Sequence, residues 1–366
     1  MEKLKIKTFL LVVVYFAIFA IGGYFFYSLY FHKIINPEEK TTSPSSQKQF
    51  IYYTQGNNLY QLNPDIPTQS PTEPNVRLQS TGTVEEMAID TQEQLLFYNA
   101  ITPQEEYEIW QVALSDNTSE KLFSQKTPGL ENFKNFRYPR VSPDNLKLSF
   151  VATHGSTDNI FVMEIKSRNL TNLMKEDFQG QINSPAWASD SKEIAFNTNT
   201  ETSSLLETVD LEKNTQKIWE GEGQIQKIVY LKAKVIFSLK EGAGDKLSIS
   251  LAAIDPSNSQ VTSLTDLVYP KKVSDFGISP DEQYLVYDTE DSLTQKKDIY
   301  LEKTDGTNLL QLTDDGKSAE SVFSPESDQV AFWVAGSGIY TMTIGKTQKQ
   351  KILNYDDKIG QILLWR

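Results

Sequence analysis

SPDEQYLVYDTEDSLTQKKDIYLEKTDGTNLLQLT, residues 279–313, contains the pattern that decides the fold. A Ser-Pro-Asp turn leads into an apolar strand that ends in the aromatic residue Tyr287, and two further strands end in Tyr300 and Thr313. Proline presets its own φ and the aspartate carboxylate accepts hydrogen bonds from nearby backbone N–H groups, which favours a tight turn. The apolar run is typical of a strand that is buried on both faces.

The same pattern recurs along the chain. Further turn copies begin at Ser142, Ser324 and, more loosely, Ala188. The aromatic residues that end the apolar strands are spaced by 41 to 53 residues and are Tyr52, Phe97, Phe150, Phe196, Phe237, Tyr287 and Phe332. A repeat of this length with strand-type content indicates a β-propeller. The sequence therefore predicts an all-β, seven-bladed β-propeller of four-stranded blades.

The two ends of this repeat complement each other. The first unit has no first strand, because a polar linker runs directly into residues 49–53. The last residues, 359–365, are apolar and have no unit of their own. Because a closed ring removes exposed sheet edges, we expect the C-terminal strand to complete the first blade.

The repeat resembles the TolB-like, WD-type family of six-to-seven-bladed propellers over residues 49–366. It is also similar to the propeller of prolyl-oligopeptidase-type peptidases. The resemblance implies the fold, but such propellers serve many functions. TolB looks like a periplasmic protein with an α/β domain before its propeller, and the peptidases carry an α/β-hydrolase domain. This sequence contains neither pattern, so the resemblance implies no particular partner and no peptidase activity.

The N-terminal region predicts a membrane anchor. Residues 1–8 contain three lysines, 9–31 are uncharged and apolar, and 32–48 form a Pro/Ser-rich linker before the propeller at 49–366. An apolar stretch of this length spans a bilayer core, and the positive-inside rule places the N-terminus in the cytoplasm. We expect a single-pass membrane protein with an extracytoplasmic propeller. A cleaved signal peptide is the alternative.

Composition excludes several functions. The formal net charge of −13 disfavours nucleic acid as a partner, because phosphate backbones are repelled. The chain has no cysteine and two histidines, His32 and His154, which leaves no material for a Cys/His metal site or a Cys–His dyad. We therefore predict no metal, no cofactor, no catalytic residues and no enzymatic activity.

Candidate ligand-binding residues follow from the repeat. Positions twelve residues before the aromatic anchors lie where innermost strands begin, at one mouth of the central channel. Four of them carry suitable side chains: Glu85, Tyr138, Asp275 and Glu320. Three carboxylates from different blades could converge on a cation, an amine or a basic peptide, with pKa values raised by mutual repulsion.

These patterns favour a membrane-anchored propeller that works as a protein-binding or ligand-binding module of the cell envelope. Its partner would be a protein, a small ligand or a glycan at one propeller face. Two alternatives remain. One is a glycan hydrolase or lyase that uses carboxylates at the channel mouth, since paired carboxylates perform acid–base chemistry without histidine. The other is a structural spacer without a specific ligand.

Overall fold

Every regular element in the computed structural model is a β-strand, among the residues that it describes: 49–366 apart from 56–57, 67–75, 78–82, 91, 93, 177, 243–246, 266, 268–269, 355–358 and 366. The strands form seven four-stranded antiparallel sheets arranged as propeller blades. Six blades are each built from four strands that are consecutive in the chain, whereas one sheet is composite. The prediction of an all-β propeller is confirmed.

The composite sheet, blade 1, comprises, from the innermost strand outwards, β28 (Ile359–Trp365), β1 (Ile51–Gln55), β2 (Asn58–Leu62) and β3 (Val76–Arg77). Blade 2 comprises β4 (Thr83–Ile89), β5 (Leu95–Ile101), β6 (Tyr107–Ala113) and β7 (Thr118–Phe123). Blade 3 comprises β8 (Phe133–Val141), β9 (Lys147–His154), β10 (Thr157–Glu164) and β11 (Leu170–Asn172). Blade 4 comprises β12 (Ile182–Trp187), β13 (Glu193–Asn199), β14 (Ser203–Asp210) and β15 (Thr215–Glu222). Blade 5 comprises β16 (Gln224–Tyr230), β17 (Val235–Glu241), β18 (Ser248–Asp255) and β19 (Gln260–Ser263). Blade 6 comprises β20 (Lys271–Ile278), β21 (Tyr284–Asp291), β22 (Lys297–Lys303) and β23 (Leu310–Gln311). Blade 7 comprises β24 (Ser318–Phe323), β25 (Gln329–Val334), β26 (Gly338–Thr343) and β27 (Lys349–Asn354).

The C-terminal strand completes blade 1 as predicted. β28 pairs antiparallel with β1, with Trp365 opposite Ile51 and Ile362 opposite Tyr53. The register shifts twice along this pair. The first blade therefore takes its innermost strand from the other end of the chain, and this pairing closes the ring.

The core lies between neighbouring blades. The aromatic residues that anchor the repeat are all on second strands and are at most 1% exposed. They pack into clusters of buried side chains that each join two adjacent blades, including blade 7 to blade 1 and blade 1 to blade 2. Removing apolar surface from water in this way contributes about 25 cal/mol per Å². Burial between blades explains why the apolar runs of the sequence are continuous rather than alternating.

The Ser-Pro-Asp turns explain how the first two strands of a blade are joined. Ser279 donates from its Oγ to Asp281 (2.6 Å), and the same hydroxyl accepts the N–H of Tyr284 (2.9 Å). Glu282 takes a φ of 59° at the tip. The Asp281 N–H also donates to the hydroxyl of Ser327 in the next blade (3.1 Å), so the turn ties neighbouring blades together as well.

The predicted fold class needs a correction at its N-terminus. It placed a transmembrane helix before the propeller, but the described residues contain strands and turns without an α-helix. None of the described residues belongs to a helix long and apolar enough to cross a membrane. The predicted span, residues 9–31, lies outside the described residues, so the fold that the structure shows is the propeller alone.

Candidate functional site at the channel mouth

The innermost strands of blades 2 to 7 share a bulge near the end at which they begin, which we call the channel mouth. Register with the second strand shifts at Val84/Glu86, Arg137/Arg140, Asn183/Ala186, Ile225/Lys227, Val273/Asp275 and Ala319/Val322. Bulges bend a strand and turn its side chains in new directions. Left-handed φ values accompany them at Tyr138 (56°), Ser184 (42°) and Glu320 (58°). All four predicted site residues lie within or beside these bulges.

On blade 2, Glu85 is exposed, and its Oε2 accepts a hydrogen bond from Asn99 Nδ2 at 3.1 Å. On blade 3, Tyr138 is half-buried between two arginines, with Arg137 at 5.3 Å and Arg140 at 5.9 Å from its ring centroid. Burial raises the pKa of the Tyr138 hydroxyl. Arg140 extends to Glu86 of blade 2 at 2.7 Å and joins the two blades. This part of the mouth thus combines charges of both signs around one aromatic ring.

On blade 6, Asp275 is paired with a cation. Its Oδ1 lies 2.7 Å from Lys227 Nζ of blade 5, which also donates to the carbonyl of Phe276 at 2.7 Å. The side chains of Lys227 and Asp275 are 40% and 48% exposed, so both remain within reach of a ligand.

On blade 7, Glu320 has a bonding partner in the closing strand. Its Oε2 accepts the backbone N–H of Ile362 at 3.1 Å. Burial raises the pKa of the Glu320 carboxyl, and this hydrogen bond and the charge of Lys297 oppose that rise. Glu320 therefore holds the last blade to β28 and is not a free ligand group.

Asp288 is a site residue that sequence reasoning missed. It lies opposite Asp275 in the blade 6 ladder and is 2% exposed. Its carboxylate accepts the backbone N–H of Glu320, in a very short contact, and the hydroxyl of Ser321 at 2.6 Å. Burial raises the pKa of Asp288 to about 6, with smaller contributions from the charges of Asp275 and Glu320, while the Ser321 hydrogen bond lowers it. The available signal was an acid directly after the anchor Tyr287, on an otherwise buried strand.

Asp158 of blade 3 is a second buried carboxylate with a related role. It is 1% exposed and accepts the backbone N–H of Ile182 in blade 4 at 2.8 Å and the hydroxyl of Thr153 at 2.6 Å. Unlike Asp288, it also forms an ion pair with Arg137 at 2.5 Å.

The predicted convergence of three carboxylates is thus only partly reproduced. Asp275 and Glu320 lie close enough to Asp288 to raise its pKa, whereas Glu85 contacts Asn99 of its own blade. Within the described residues, no group of three or more His, Cys, Asp or Glu side chains is arranged to hold a metal ion. His154 lies in the β9–β10 hairpin against the ring of Phe133, at 5.3 Å between centroids.

Comparison with known proteins gives similarity of structure only. No protein-family model matches the sequence, and no curated protein matches it. An oligogalacturonate lyase in complex with manganese shares 12% identity at a TM-score of 0.60, with 84% of this chain and 86% of that chain covered. TolB from Acinetobacter baumannii shares 14% identity at a TM-score of 0.51, with 87% of this chain and 66% of that chain covered. A prolyl endopeptidase shares 11% identity at a TM-score of 0.60, with 85% of this chain and 49% of that chain covered.

These similarities confirm the predicted resemblance to TolB-like propellers and, at such low identity, show the fold alone. They also correct the prediction that the chain has no enzymatic activity. That prediction rested on the missing hydrolase domain and the scarcity of histidine. The match to the lyase covers most of both chains, so a propeller of this build occurs as most of an enzyme. The absence of a hydrolase pattern therefore does not exclude catalysis.

Proposed function

We propose that this protein is a binding module whose channel mouth takes a positively charged segment of a partner, such as a basic peptide. The observation that carries the proposal is the pair of exposed carboxylates, Glu85 on blade 2 and Asp275 on blade 6, on bulged innermost strands. The net charge of −13 supports it, because a negative protein attracts cationic ligands over long range. A ligand ammonium or guanidinium at Asp275 would share that carboxylate with Lys227.

The proposal is tested by measuring the affinity of a fluorescent oligolysine peptide for the full chain and for the double variant Glu85→Gln/Asp275→Asn. We expect the double variant to bind at least about tenfold more weakly, because each lost charged contact is worth about 1 kcal/mol. The matched control is Asp190→Asn/Glu212→Gln, which changes net charge equally at turns on the opposite end of the ring. Equal losses in both double variants would reduce the binding to general electrostatics and contradict the proposal.

An enzyme remains the second candidate, and Asp288 is the observation that favours it. A carboxyl with a pKa near 6 beside two other acids is suited to proton transfer near neutral pH. Against this, Asp288 is buried and accepts hydrogen bonds from Glu320 and Ser321. Incubation with oligogalacturonate, the substrate named for one structural neighbour, followed by mass spectrometry for shorter fragments, tests this candidate. An unchanged substrate would count against a lyase of that specificity.

The cellular location is proposed from the sequence alone. Residues 9–31 and the lysines before them favour a membrane-anchored protein with its propeller outside the cytoplasm. Protease treatment of intact cells, with detection of the C-terminal region, tests this. In a cell that has no outer membrane, an external propeller should be digested while the cells are intact. A propeller that is digested only after the cells are permeabilised would contradict an external location.

A further inference from the structure

The strands on either side of the ring closure are joined by a chain of acidic side chains. Asp288 of blade 6 accepts the N–H of Glu320 and the hydroxyl of Ser321 in blade 7. Glu320 in turn accepts the N–H of Ile362 in β28, the closing strand of blade 1. Two carboxylates therefore link the second strand of blade 6 (β21) to the innermost strand of blade 7 (β24), and that strand to the innermost strand of blade 1 (β28).

The charges around Asp288 are predominantly negative. From β20 it faces Asp275, and from β24 it faces Glu320. From β22 its ladder partner is the apolar Ile299. The nearby cations act on the neighbours instead, with Lys227 bonded to Asp275 and Lys297 acting on Glu320. The ionised form of Asp288 is thus buried beside two acids, with no direct ion pair among its contacts with the described residues.

We propose that Asp288 and Glu320 form a pH-sensitive latch that holds blade 7 and the closing strand β28 more tightly in mildly acidic solution than at neutral pH. Protonation removes the repulsion among the acids and the cost of burying the Asp288 charge. It leaves both hydrogen bonds in place. The carbonyl oxygen of the protonated carboxyl group still accepts the Glu320 N–H, and the hydroxyl of Ser321 can accept a hydrogen bond from the carboxyl O–H instead of donating one.

The direction of the effect follows from linkage. The pKa of Asp288 is raised in the folded protein from 3.8 to about 6. The folded state therefore binds more protons than the unfolded state between these values, and stability falls as pH rises through this window. Below about pH 4 the stabilisation is fully present, and above about pH 7 it is lost.

The test is urea unfolding of the full chain from pH 4.5 to 8, comparing the natural protein with Asp288→Asn. An asparagine can accept the Glu320 N–H and donate to Ser321, so its fold should be retained. We expect the natural protein to lose stability relative to the variant as pH rises from 4.5 to 7, by about a tenfold to hundredfold change in the unfolding equilibrium constant. Parallel curves for the two proteins would overturn the proposal.

Two further measurements keep the test decisive. Asp275→Asn removes one neighbouring negative charge, so the pH-dependent loss of stability should occur at lower pH in this variant than in the natural protein. An unchanged pH midpoint contradicts the proposal even if Asp288→Asn does not fold.

Hydrogen exchange in residues 359–365, corrected for intrinsic rates, should show more protection at pH 5 than at pH 7.5. Equal protection would contradict the assignment of the latch to β28. No ligand is present in these experiments, so their outcome is independent of the binding proposal.

Discussion

The junction of blades 3 and 4 and the junction of blades 6 and 7 use the same kind of bond with opposite electrostatics. In each, a buried carboxylate accepts the backbone N–H of an innermost strand in the following blade, from Ile182 in one case and from Glu320 in the other. Asp158 also has the guanidinium of Arg137 at 2.5 Å, whereas Asp288 has Asp275 and Glu320 as charged neighbours.

This difference separates two consequences of burying an acid. A buried carboxylate loses its hydration, and an adjacent cation compensates for that loss only where the geometry is good. Asp158 has such compensation and fixes its junction with an ion pair. Asp288 lacks it, and its raised pKa makes the junction near the ring closure sensitive to pH. One fold thus contains a junction in which the buried acid has a cation partner and a junction in which the buried acid has acidic neighbours.

The largest effect is expected where the compensation is removed. Arg137→Met leaves Asp158 buried without its cation and should lower the free energy of unfolding at pH 7.5 by about 3–5 kcal/mol. Urea unfolding at this pH measures the loss. The control is Arg168→Met, which breaks an exposed pair with Glu120 and should cost less than about 1 kcal/mol. Similar losses in both variants would erase the distinction drawn for Asp158.

A medium effect is expected where Asp288 loses a donor. Ser321→Ala removes the 2.6 Å hydrogen bond to the carboxylate and should lower the free energy of unfolding by about 1.5–3 kcal/mol at pH 7.5, but by about 1 kcal/mol at pH 4.5, because bonds to charged groups are stronger. Ser274→Ala is the matched control, because the Ser274 hydroxyl donates to the backbone carbonyl of Asp288, at 3.3 Å, and not to its carboxylate. A loss independent of pH in Ser321→Ala would show that Asp288 is not ionised at neutral pH.

The smallest effect is expected at the exposed pair that borders the acidic group. Lys227→Met breaks the 2.7 Å contact with Asp275, and because both side chains are about half exposed it should change the free energy of unfolding by less than about 1 kcal/mol. The same variant should raise the pH midpoint of the Asp288 transition, since Asp275 then loses its counter-charge. A thermal scan at several pH values measures both. A larger loss of stability would mean that Lys227, and not Asp288, governs this junction.

Much of the architecture could be predicted because its causes are local and repeated. Ser279 and Asp281 form their turn through hydrogen bonds within six residues, and the same Ser-Pro-Asp motif forms the same turn at Ser142. Buried anchors such as Phe237 are evident from apolar runs. The ends of the chain could be joined because one unit lacked a strand and the C-terminus supplied one.

The candidate site could be predicted only in position. Counting from the anchors located the bulged segments that contain Glu85, Tyr138 and Glu320, but not the bulges themselves. Whether a carboxylate there is free depends on partners remote in the chain. Glu320 is bonded to Ile362, 42 residues away, and Asp275 to Lys227, 48 residues away. Asp288 was missed because its importance comes from the next blade.

The sequence by itself determined the repeat, the strand-rich fold and the closure of blade 1, because turn chemistry and apolar periodicity act over a few residues. It also determined the acidic balance of charge, with a formal net charge of −13. Only the tertiary structure decided which acids are paired, which are exposed and which are buried together. Those properties depend on distances between blades and on the loss of hydration at their junctions, and charges at equivalent positions of the repeat, such as Asp275 and Glu320, acquire different roles for that reason.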